Sequence, residues 1–135
     1  MPLPNLIVIG AMKCGTTSLH HYLGRHPEIA MARDKELDFF VAERNWVKGV
    51  GWYASRFPED ARIRGESSPS YTVAGRFSGV PARMHAIVPD ARLVYMVRDP
   101  VERLISHWVH AVAVGKESRP LAAAMQHDWY LDRSS

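Results

Sequence analysis

Leu6-Ile7-Val8-Ile9-Gly10-Ala11-Met12-Lys13-Cys14-Gly15-Thr16-Thr17 is the stretch that decides the architecture of this chain. Leu6 to Ile9 is a continuous, largely β-branched run ending at a glycine, the pattern of a strand buried on both faces. From Thr16 the period changes: Leu19, Tyr22 and Leu23 fall at helical spacing, and Gly24 with Pro27 stops the helix. Strand, glycine turn and helix open a βαβ unit. A loop in that place turns backbone N–H groups and the positive helix end toward one spot, which suits a phosphate or sulfate.

Working outward, Leu93 to Val97 reads as a second buried strand, leading into Arg98-Asp99-Pro100. Asp99 suits the N-cap of the next helix and Pro100 its first position. In that helix Val101, Leu104, Ile105, Trp108, Val109 and Val112 form one apolar stripe, with Glu102, Arg103, Ser106 and His110 opposite. Between the two units the pattern predicts a helix within Trp46 to Phe57, a short strand at Arg62 to Glu66 and a helix near Pro81 to Val88; a weaker helix follows at Leu121 to Met125. Strands alternating with helices imply the α/β class: three layers around a mainly parallel sheet, in a single domain over residues 1–135.

Composition narrows the function. The 135 residues are 47% hydrophobic and 23% charged, an ordinary globular balance without repeats or low-complexity tracts. Net charge is +3, and 13 of the 17 basic residues are arginine, the side chain favoured for gripping phosphate or carboxylate groups. The basic residues are scattered, so nucleic acid is not indicated as a partner. The run Leu6–Ile9 is far too short to span a bilayer, and no secretory signal pattern opens the chain. A single cysteine, Cys14, allows no internal disulfide, so a reducing, cytoplasmic setting and no membrane partner are expected. No metal is expected either, since no carboxylate and histidine group has ligand spacing; adjacent His20 and His21 project from different sides of a helix. Trp46, Trp52 and Trp108 read as core or cleft wall.

The loop nearly fits the phosphate-binding P-loop pattern, with Gly10 and Gly15 five apart and Thr17 at the Ser/Thr position. Its lysine is displaced: Thr16 stands where a nucleotide triphosphatase has Lys, and the lysine is Lys13. In this form Ile9 to Leu19 resembles the 5′-phosphosulfate loop of sulfotransferases that use 3′-phosphoadenosine 5′-phosphosulfate (PAPS). Arg98-Asp99-Pro100-Val101-Glu102-Arg103-Leu104-Ile105-Ser106 resembles their 3′-phosphate motif, an arginine ending a strand and a serine eight residues later on the next helix. His26-Pro27, Lys35-Glu36 with Phe39-Phe40, Gly51-Trp52-Tyr53 and Glu66-Ser67-Ser68-Pro69-Ser70-Tyr71 resemble the heparan-sulfate-type branch and its bacterial relatives. The resemblance covers roughly residues 5 to 112.

The resemblance implies a P-loop-containing sulfotransferase-like fold, PAPS as co-substrate and a hydroxyl or amine acceptor, small or carbohydrate. Lys13, Cys14, Gly15, Thr16, Thr17 and Ser18 are the expected ligands of the 5′ end, with Lys13 stabilising the departing phosphate; Arg98 and Ser106 are those of the 3′-phosphate. Glu66 resembles the family's catalytic glutamate and is the expected general base. Lys35 and Glu36 are the candidate acceptor contacts, in a segment where the family often has His and this chain has Asp38. Cys14 is expected to serve as a small loop residue rather than a nucleophile. A P-loop kinase or nucleotide triphosphatase, or a non-catalytic nucleotide- or partner-binding module, are the alternatives. Members of the resembled family carry further strands, so the domain is expected to be its N-terminal portion. Two effects follow: one side of the first strand left unpaired, and the stripe ending at Val112 partly uncovered, with another chain able to associate at the open edge.

Overall fold

The computed structural model describes residues 1–12, 14–124 and 126. Its centre is a four-stranded sheet of β1 (Leu6–Gly10), β2 (Ile29–Met31), β3 (Ile63–Ser67) and β4 (Arg92–Tyr95), in the spatial order β2-β3-β1-β4 and parallel throughout. Helices α1 (Thr16–Leu23), α2 (Gly49–Ala54), α3 (Val80–Ile87), α4 (Pro100–Ala113) and α5 (Leu121–Ala124) connect or follow the strands, with 3-10 turns at Trp46–Lys48 and Pro69–Thr72. The α/β class with a parallel sheet is as expected. Met125, the last residue of the expected fifth helix, lies outside the described residues.

Successive strand residues point to opposite faces, so the complete burial of both Ile7 and Val8 shows that β1 is covered on both sides. Ile7 belongs to the main hydrophobic cluster, which gathers Phe39, Phe40, Tyr53, Tyr71, Val80 and Met84. Tyr53 stacks on Phe39 with ring centroids 4.2 Å apart, and Phe40 meets Tyr53 edge-on at 5.3 Å. This aromatic nucleus explains why the irregular segment 37–41 is as buried as any strand.

Two expectations need correction. β1 is not left open on one side: β3 pairs with it through Ile7↔Glu66 and β4 through Ile7↔Leu93, and β2, which the sequence did not reveal, pairs with β3. Second, the expected buried strand at Leu93 to Val97 is shorter and starts earlier, and Leu93 and Tyr95 are half exposed because β4 is the edge of the described sheet. The short helix expected within Trp46 to Phe57 is present as α2, and Gly49, at φ +84°, sets it off from the 3-10 turn before it.

α4 starts as its sequence requires. The Asp99 carboxylate accepts from the N–H groups of Val101 and Glu102, both at 3.0 Å, and Pro100 occupies the first turn. Its buried line is Arg103, His107 and Ala111, whereas Val101, Ile105, Val109 and Val112 are exposed. The line of Arg103 and His107 is therefore the inward one, and Val101, Ile105, Val109 and Val112 of the stripe face away, while Leu104 and Trp108 pack against Ala111 and Ala124. Replacing Asp99 with Ala removes both capping bonds and should lower stability by about 1 kcal/mol. A urea midpoint unchanged from the parent chain would show that the cap does not hold this helix.

Candidate functional site

The glycine before α1 does what its position demands. Gly15 caps α1 at φ +86°, a left-handed conformation that a side chain disfavours, and as a glycine it brings no side-chain cap of its own. The first amides of an α-helix have no partner within the helix, and its positive end favours an anion there.

A cavity of about 250 Å³ opens at this point. It brings together Gly15, Thr16, Thr17 and Ser18 from the start of α1, Arg98 from the end of the β4 segment and Ser106 from α4, with Lys35 and Glu36 on its rim. Residues separated by as many as 94 positions in the chain, Met12 and Ser106, meet in one hollow. Arg98 also pairs with Glu102 one turn on, at 3.8 Å. Met12 and Pro69 complete the lining; both lie within the motifs that carry the resemblance, though neither was expected as a site residue. Cys14 does not line it; its buried thiol turns back toward the Met12 carbonyl at 3.5 Å. Lys13 lies outside the described residues.

Glu66 is not in this cavity, and strand parity is the reason. In parallel register Glu66 lies beside Ile7 and Ser67 beside Val8, so Glu66 shares the face of the aromatic cluster and Ser67 the other. Ser67 meets α1: its Oγ is 2.7 Å from His20 Nδ1, while His20 Nε2 is 3.1 Å from the Ala32 carbonyl. Donation of the Nε2 proton to that carbonyl makes Nδ1 the acceptor of the Ser67 hydroxyl. Burial holds the His20 pKa below its ordinary value, which favours this neutral form.

The Glu66 carboxyl is wholly buried. Burial pushes its pKa up to about 7, against a pull back from the facing Tyr71 and Tyr53 hydroxyls and Ser68. Neither carboxyl oxygen completes a well-formed hydrogen bond. A carboxyl in that setting is a core group sensitive to its charge state.

The carboxylate placed at the cavity is that of Glu36. It is half exposed, lies 3.5 Å from Lys35 Nζ, and its backbone N–H donates to the Ser67 carbonyl at 2.8 Å. Glu36 also lines a second cavity of about 630 Å³, with Arg44, Arg76, His107, His110 and Lys116. None of Arg44, Arg76 and Lys116 was foreseen as a site residue, since no local motif contains them. Among the described residues no group of three or more His, Cys, Asp or Glu side chains is placed to hold a metal, and no helix is long and apolar enough to cross a membrane.

The comparisons with known proteins agree with this geometry. The model of the sulfotransferase domain family matches residues 3–134, and the chain belongs to that family. It is 35% identical over 132 residues to the membrane-associated sulfotransferase kil1 of Dictyostelium discoideum, covering 93% of this chain and 27% of that protein. It is 36% identical over 112 residues to human heparan sulfate glucosamine 3-O-sulfotransferase 6, covering 82% of this chain and 31% of the relative. The crystal structure of a sulfotransferase from Alicyclobacillus acidocaldarius superposes with a TM-score of 0.83 at 28% identity, over 99% of this chain and 60% of that one. The chain thus spans roughly a third or less of the length of these curated relatives.

The raised pKa of Glu66 has a stability consequence. Its protonated form is favoured in the fold, so its contribution is fully present below the ordinary carboxyl pKa of 4.5 and is lost as pH rises toward about 7. Relative to Glu66→Gln, the parent chain should lose on the order of 3 kcal/mol across that window. Urea unfolding of the two proteins at pH 4.5 and pH 7.5 measures it; a constant difference would show that Glu66 titrates normally.

Proposed function

We propose that this chain carries the donor site of a sulfotransferase that moves a sulfuryl group from PAPS to a hydroxyl or amine. The observation that carries the reading is the single cavity shared by the loop residues Gly15 to Ser18, Arg98 and Ser106. The amides and hydroxyls of Gly15, Thr16, Thr17 and Ser18 would bind the 5′-phosphosulfate oxygens at the start of α1, and Arg98 with Ser106 the 3′-phosphate. Lys13, by its place in the loop sequence, is assigned to the bridging oxygen, where negative charge develops as the bond from sulfur to the phosphate oxygen breaks. The acceptor oxygen or nitrogen forms its bond to sulfur from the opposite side and gives up its proton. In-line positioning and fixed charge supply most of the rate, as in phosphoryl transfer.

For that proton the geometry favours Glu36 over Glu66. Glu36 is solvent-accessible and lies where the donor cavity and the second cavity meet. Glu66 is enclosed on the other face of β3 and would need the aromatic cluster to open before reaching any acceptor. A carbohydrate acceptor fits the named substrate of the heparan sulfate relatives. A reducing, cytoplasmic location rests on the lone Cys14.

Calorimetry with 3′-phosphoadenosine 5′-phosphate and with adenosine 5′-monophosphate, the same molecule without the 3′-phosphate, tests the donor site. A charged hydrogen bond worth roughly 1.5 to 3 kcal/mol gives about 10-fold to 150-fold preference for the former. Arg98→Ala should erase most of it, and equal affinities in the parent chain would sink the assignment. With radiolabelled donor, Glu36→Gln should slow transfer by about 10² to 10⁴ while Glu66→Gln retains most of the rate. The reverse order would return the base to Glu66.

A further inference from the structure

The second cavity shares Met12 and Glu36 with the donor cavity, and its charged lining is Arg44, Arg76 and Lys116 with His107 and His110. Glu36 is its one carboxylate among the described residues. Arg44 is the member that is held in place. Its Nη1 is bonded and ion-paired to Asp38 Oδ2 and donates to Ser70 Oγ at 3.1 Å, and its guanidinium carbon lies 4.8 Å from the centre of the Phe77 ring. The side chain nonetheless remains 38% exposed, against 7% for Asp38.

Asp38 is fixed in turn. Its backbone N–H donates to Ser68 Oγ at 3.1 Å, its φ is +49°, and its Oδ1 is buried without a hydrogen-bond partner. Burial raises its pKa, and the bond from Arg44 draws it back. A half-satisfied buried carboxylate is a poor stabilising device, because desolvation offsets the attraction. It is an effective clamp. A planar guanidinium anchored at one nitrogen presents the rest of its fork in one orientation, and little freedom is lost when an anion is bound.

Resting on the sulfotransferase reading, we propose that Asp38 is a positioning residue that fixes Arg44 in the wall of the second cavity. Arg44 thereby selects acceptors that carry a carboxylate or sulfate close to the group to be sulfated. Glu36 at the junction faces the reacting group, and Arg44 takes the neighbouring anion. Arg76 and Lys116 add attraction without a comparable clamp, so they set general affinity for anions while Arg44 sets discrimination.

The experiment titrates the protein, saturated with 3′-phosphoadenosine 5′-phosphate, with a uronate-containing oligosaccharide and with its carboxyl-reduced counterpart. The parent chain should prefer the charged form by about tenfold or more. Arg44→Met and Asp38→Asn should both collapse that ratio toward one, with affinity for the neutral form and for the nucleotide unchanged, and Arg44→Lys should restore only part of it. The ratio is insensitive to the fraction of molecules folded, so loss of stability alone does not imitate the effect. Equal affinities in the parent chain, or a ratio preserved in either Arg44→Met or Asp38→Asn, overturns the proposal. Failure of the nucleotide itself to bind counts against the donor-site reading instead, and the oligosaccharide comparison made without nucleotide still decides the role of Arg44.

Discussion

The alternation of side chains along β3 is the constraint on which the site depends. Glu66 and Ser67 are neighbours in sequence and occupy opposite faces of the sheet. One face holds the aromatic cluster, and the other receives α1 through the contact between Ser67 and His20. The main chain extends the arrangement: the Ser67 carbonyl accepts from Glu36, the Ser68 N–H donates to the Val8 carbonyl at 3.0 Å, and Ser68 Oγ accepts from Asp38. The end of β3 is therefore tied to the central strand, the helix of the phosphate loop and the segment that bears Glu36. Each such buried bond adds about 1 kcal/mol and leaves a costly orphan if one partner is removed.

The segment 35–38 gains its shape from that junction. Glu36 and Asp38 both have positive φ, an uncommon conformation for residues with side chains, costing on the order of 1 kcal/mol or more at each. The structure maintains it because bonds from both residues to the 67–68 corner over-determine the path. The result is a chain that turns Glu36 outward to both cavities while Leu37, Asp38, Phe39 and Phe40 go inward.

Legibility followed the range of the interactions. β1, the Gly15 turn and the Asp99-Pro100 start of α4 are set by local chemistry, and the sequence shows each one. β2 is three residues long, half-buried and hard against the His26-Pro27 turn, too short for any period to emerge. The face of Glu66 depends on its register with Ile7, a non-local pairing that no local pattern encodes, so a motif resemblance placed it at the site and the fold did not. Arg44 escaped notice for a similar reason: its partners Asp38 and Ser70 come together only in the folded chain.

The rotation of α4 shows how the site overrides the usual sorting of residues. At 100° per residue, Arg103, Ser106, His107 and His110 share one face, and Val101, Ile105, Val109 and Val112 occupy the opposite one. A helix with that pattern would ordinarily turn its apolar face inward. Here Ser106 lines the cavity at the start of α1 and His107 and His110 line the second one, and Asp99 anchors the helix start beside Arg98. Only one rotation satisfies these placements, and it directs the apolar stripe away from the cavities. The exposure of that stripe is thus the same geometric fact as the placement of Ser106: a helix cannot turn its polar face and its opposite, apolar face toward the same cavities.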